Sequence, residues 1–73
     1  IQENQTMHNI LTDLNQLIDQ NEKEYSAAWR ELCDYQGTCP VVVASLHNMV
    51  EARFTALKAS RSAQHKTYLA VPV

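Results

Sequence analysis

From Thr6 onward the apolar residues recur at alternating steps of four and three: Met7, Leu11, Leu14, Ile18, then Tyr25, Ala28 and Leu32, with Asn21 as the one polar member. That is the seven-residue repeat of a helix packed along a single stripe. Ile10, Leu17 and Trp29 widen the stripe, while Asp and Glu fill the opposite side. Thr6 suits an N-cap. No Gly or Pro interrupts the run before Gly37, a residue type that often supplies left-handed backbone just past a helix end. The pattern predicts a helix over about residues 6–35 and a turn over about 36–39.

The second half opens with Thr38-Cys39-Pro40, and Pro is tolerated in the first turn of a helix because its missing N–H is not needed there. Val42, Val43, Leu46, Met49, Val50, Phe54 and Leu57 then form a second stripe, beside a row of small residues, Ala52, Ala56, Ala59 and Ala63. Beyond Leu57 the chain turns polar, and Pro72 stands near its end. A helix over about 40–67 and an extended tail over 68–73 follow. The β-branched run Val41-Val42-Val43 and the segment Tyr68-Leu69-Ala70-Val71 also suit a short pair of strands, the competing reading of these two segments.

One domain of 73 residues with two such helices is an all-α, antiparallel two-helix hairpin. Centred on the turn, the hairpin sets Leu32 against Val43, Trp29 against Leu46, Tyr25 against Val50, Asn21 against Phe54 and Ile18 against Leu57. Past that point the match fails: Leu14 meets Arg61, Leu11 meets Gln64 and Met7 meets Tyr68. Met7, Ile10, Leu11, Leu14, Leu17 and Ile18 then form a wider apolar surface than one helix covers, and each Leu or Ile left bare forgoes about 1.5–3 kcal/mol of burial. The expected remedy is completion of a helical bundle by association, with a second copy or with another helical protein. A tail folded back over the surface is the intramolecular alternative. Asn21 either fixes the register of such an assembly, a known use of a lone buried Asn, or faces solvent.

Composition narrows the function. Apolar residues make up 45% and charged residues 19%, which is globular rather than disordered. No run is long and apolar enough to span a membrane. Residues 1–37 hold seven acids and two bases, residues 38–73 one acid and four bases. Halves of opposite sign suit helices lying side by side. The basic row Arg53, Lys58, Arg61, His65 and Lys66 suits nucleic acid less well, having few aromatics between its members and an acidic neighbour helix. Glu22 and Glu24, like Ser45 and His47, stand two apart and so do not share a helix face. No Gly-rich loop is present to hold a phosphate. The chain reads as non-catalytic, with no cofactor and no small-molecule substrate.

Cys33 and Cys39 flank the turn at a spacing that allows a disulfide. Such a bridge implies an oxidising compartment, secreted or periplasmic, and Ile1 in place of an initiator Met suits a processed or trimmed chain. Two reduced thiols are the alternative. His47 follows Cys39 without a set of ligands at zinc-like spacing, so no metal is expected. Asn4-Gln5-Thr6 fits the N-glycosylation pattern. Tyr25 and Trp29 are placed in the core near the turn, with a binding hot spot as the competing reading.

A soluble helical domain of this size, with Cys33-Asp34-Tyr35-Gln36-Gly37-Thr38-Cys39 just before its final long helix, resembles the periplasmic domain of phage antiholins. The resemblance covers the size and one spacing. It implies a domain that binds the soluble part of a holin and delays lysis, and it assigns no functional residue. The expected function is protein binding by a small secreted or periplasmic inhibitor or regulatory subunit. A structural oligomerisation element of a larger assembly and a small nucleic-acid-binding regulator are the alternatives.

Overall fold

A computed structural model describes residues 2–70 of the chain, with side chains from residue 9 onward. It contains two helices, α1 (Gln2–Asp34) and α2 (Pro40–Ala70), packed against each other as an antiparallel hairpin. With 33 and 31 residues, the helices are each about 45–50 Å long at 1.5 Å per residue. The molecule is accordingly a rod, 58 × 15 × 13 Å.

Both helices outrun their expected boundaries. α1 starts at Gln2, which puts Thr6 inside the helix rather than at its cap. Gln and Glu, which fill much of residues 2–5, are good helix formers. α2 continues through Tyr68, Leu69 and Ala70, so that much of the expected tail is helical. Pro72 disfavours helical backbone at the residue before it, consistent with an end at Ala70. Among the described residues there is no strand, and Val41-Val42-Val43 lies in the first turns of α2. Val71 and the rest of the tail lie outside the described residues.

The turn is built differently from expectation. Gly37 has no positive φ, so it does not supply left-handed backbone. Its smallness makes room for a ring instead. A Cβ on Gly37 would lie 2.9 Å from Cε2 of Tyr35 and closer still to Cζ and the hydroxyl. The Tyr35 hydroxyl, held over the glycine, accepts a hydrogen bond from the Cys39 amide at 3.3 Å. The Cys39 carbonyl in turn accepts from the Val43 amide at 3.1 Å, which makes Cys39 the cap residue and Pro40 the first position of α2.

The seam uses a full heptad on each side. On α1 it comprises Leu11, Leu14, Ile18, Asn21, Tyr25, Ala28 and Leu32, continued just past the helix end by Tyr35, all buried or half-buried. On α2 the matching series is Val43, Leu46, Val50, Arg53, Leu57, Ser60, Gln64 and Thr67, of which only the exposed Arg53 fails to be at least half-buried. Ala28, Val50 and Leu57 are the buried apolar residues. The register is displaced by about four residues, one helical turn, from the turn-centred pairing. Tyr25 stacks on Phe54, with ring centroids 5.4 Å apart. Asn21 meets Ala56 and Ser60 rather than Phe54. The reason is polar: opposite Phe54 the Asn21 amide has no partner, and a buried unpaired amide costs about 1–3 kcal/mol.

Candidate binding surface

Asn21 is buried and fully engaged within the hairpin. Its Nδ2 donates to Ser60 Oγ at 3.2 Å and to the Ala56 carbonyl at 3.4 Å, and Ser60 Oγ donates to the Leu57 carbonyl at 2.8 Å. The solvent-facing alternative for Asn21 is therefore excluded, and the residue pins the two helices of one chain in register.

A two-helix hairpin has two broad faces, one along each flank of the seam. In an antiparallel pair the heptad positions just before each a residue (g) share one face, and those just after each d residue (e) share the other. The observed contacts follow this rule. On the e face, Glu22 Oε1 accepts from Arg61 Nη2 at 3.0 Å, and Asn15 Oδ1 accepts from Gln64 Nε2. Trp29 stands edge-on to Tyr25 at 6.4 Å, and Lys58 Nζ lies 4.7 Å from the Phe54 ring centre. This face is therefore charged and aromatic together. Trp29, expected in the core, is 42% exposed. It sits on the flank of the seam, and Tyr25 alone reaches inward.

The g face is different. α1 contributes Ile10 and Leu17, 41% and 48% exposed. α2 contributes Val42, Met49, Ala56 and Ala63, with Ala52 and Ala59 just outside them, all exposed. This strip of α2 carries no charge until Lys66. The ion pair that crosses the face is Arg53 to Glu24, at 3.1 Å. Val42, Met49 and Phe54, read from sequence as members of the inner stripe, are flanking residues, because the seam runs through Arg53, Ser60, Gln64 and Thr67. Apolar side chains are spread around α2 rather than gathered on one side, a pattern expected of a helix with more than one neighbour.

The residues expected to bind a partner are thus divided. Leu11, Leu14 and Ile18 are half-buried on the seam, Ile10 and Leu17 are exposed beside it, and Met7 lies outside the residues whose side chains are described. The signal that sequence reading missed was the polar half of the α2 heptad. Following Ser60, Gln64 and Thr67 at the same spacing as Leu57 would have placed the alanine row next to Leu17.

Cys33 and Cys39 are both free thiols and both exposed. Among the described residues no group of three His, Cys, Asp or Glu side chains is arranged to hold a metal ion, and no helix is long and apolar enough to cross a membrane. Two open hollows lie among the described residues. One runs along the outer side of α1 between Asp19 and Arg30, and one lies beside the turn between Glu31, Asp34, Val42 and Leu46. Compared with known protein families, characterised proteins and solved structures, the chain shows no significant match.

Proposed function

We propose that this chain is a non-catalytic protein-binding module that works through its g face, as an inhibitor or regulatory subunit in a secreted or periplasmic setting. One observation carries the reading: Ile10 and Leu17 stand half exposed beside an uncharged strip of α2, and none of the described residues covers the exposed half. Burying one such side chain is worth about 1.5–3 kcal/mol, comparable to a large part of the roughly 3–5 kcal/mol that a core this small supplies. The ion pairs also weigh against nucleic acid as the partner. Arg53 and Arg61 are already paired with Glu24 and Glu22, and Lys58 lies over Phe54. A structural element within a larger assembly would use the same face, and the distinction between the two lies in what is bound.

The compartment rests on Cys33 and Cys39. In an oxidising environment, a disulfide donor or oxygen would take two electrons and two protons from the thiols and close a short loop across the turn. By the chain-entropy estimate such a loop adds roughly 2 kcal/mol.

The test is photo-crosslinking from a benzophenone amino acid placed at Leu17 and, separately, at Lys23 on the outer side of α1. The reading predicts a discrete adduct from position 17 and none from position 23, in the native host or with the purified chain. Absence of any discrete adduct from position 17 in both settings would overturn it.

A further inference from the structure

We infer that the occupant of the g face is a second copy of this chain, packed with both turns at the same end so that α1 of each copy lies on α2 of the other. This rests on the protein-binding reading above and adds the partner's identity and orientation.

Area is the first argument. The chain exposes 5713 Å², whereas a compact monomer of 8.3 kDa exposes about 4,600 Å² by the usual scaling with mass. The surplus of roughly 1,100 Å² exceeds the ~800 Å² that each partner contributes to a standard stable interface. Stacking two rods face to face removes such a surplus from both at once.

Charge selects the orientation. α1 carries seven acids and two bases, and α2 one acid and four bases. Two hairpins stack face to face about a twofold axis in two ways. With turns at opposite ends, each α1 lies on the other α1, and acid faces acid. With turns at the same end, each α1 lies on the uncharged strip of the other copy's α2, so acid does not face acid, and Asp13 comes level with Lys66, the charge at the end of that strip.

Shape selects the same orientation. With turns at the same end, Leu17 of one copy lies level with Ala59 and Ala63 of the other, so large side chains enter a strip of small ones. With turns at opposite ends, Ile10 and Leu17 lie over a stretch of the other α1 whose facing side chains include Gln20 and Glu24. Small residues on the receiving helix permit close approach, at the 8–10 Å separation of packed helices.

Two native features serve as probes. Cys39 is exposed at the turn. In Cys33→Ser protein, a nitroxide on Cys39 measures turn-to-turn distance by pulsed dipolar spectroscopy. The same-end dimer predicts a separation of about 15–25 Å, given two packed layers and the label's reach. A dimer with turns apart gives about 45 Å, the length of a helix, and overturns the orientation while leaving the g face as a binding surface. The single tryptophan, Trp29, lies on the opposite face. Its emission should be unchanged as the protein is diluted through dissociation, and a shift toward the blue on association would place the contact on the aromatic face and overturn the inference. Leu17→Asp should weaken dimerisation by about 100- to 10,000-fold, since the twofold contact loses a buried leucine from each copy. Asp19→Asn, on the outer side of α1, should leave it unaltered. A purified chain that stays monomeric at sub-millimolar concentration, yet gives a discrete adduct with a different protein from position 17, overturns self-association alone.

Discussion

The hydrogen-bonded contact between Asn21 and Ser60 is the place where one substitution should separate stability from register. Asn21→Ala removes two hydrogen bonds, to Ser60 Oγ and to the Ala56 carbonyl, each worth about 0.5–1.5 kcal/mol. Ser60 Oγ keeps its bond to the Leu57 carbonyl, so no stranded donor adds to the loss. The expected destabilisation is about 1–3 kcal/mol, read as a lower midpoint in urea unfolding followed by far-UV circular dichroism at fixed protein concentration. The double substitution Asn21→Leu with Ser60→Ala should behave differently. It replaces both polar partners with apolar groups, which is often near neutral in free energy, but it removes the feature that distinguishes the observed register from the one displaced by a turn. In that second register residue 21 lies against Phe54 and the apolar residues between it and the turn are still matched. The double variant should therefore retain its midpoint while showing two sets of amide resonances, only one of which keeps the Tyr25–Phe54 ring contact. A single set of resonances with that contact intact, or a loss below about 0.5 kcal/mol in Asn21→Ala, lower than one typical hydrogen bond, would refute the assignment of register to this pair.

Other substitutions separate the seam from its surroundings. Leu57 is 3% exposed, and Leu57→Ala should destabilise by about 2–5 kcal/mol, enough to leave much of the chain unfolded by circular dichroism at room temperature. Gly37→Ala should displace the Tyr35 ring and break its bond from the Cys39 amide. The expected loss is about 1 kcal/mol in the urea midpoint, and Tyr35→Phe should lose a similar amount with Gly37 in place. Arg61→Gln breaks an exposed ion pair with Glu22 and should change stability by less than about 1 kcal/mol, with the difference vanishing in high salt.

Much of the hairpin was legible from residue spacing. The heptad of α1, the absence of breakers before Gly37 and the position of Pro40 give two helices and a turn almost at their observed limits. Register was not legible, because it depends on where one amide finds a partner. That partner, Ser60, sits in a stretch of α2 whose polarity disguises its place on the seam. Which of the surplus apolar residues of α1 stand outside the seam was legible only in part, for the same reason. Ile10 and Leu17 are exposed beside the seam, whereas Leu11, Leu14 and Ile18 are half-buried on it, where α2 continues its heptad through Ser60, Gln64 and Thr67. Gly37 illustrates a further limit. Its place in the turn was visible, but the cause, a tyrosine ring two residues earlier, required the three-dimensional path of the chain.

The claim on which the account turns is that the face bearing Ile10 and Leu17 is occupied in solution by another copy of the chain. Sedimentation equilibrium of the reduced protein over a wide concentration range tests it directly, with Leu17→Asp run alongside. The account predicts that the native chain approaches twice its 8.3 kDa mass as concentration rises, while Leu17→Asp stays at the single-chain mass with undiminished helicity. A native chain that keeps the single-chain mass throughout, or a variant that dimerises as readily as the native chain, would contradict it.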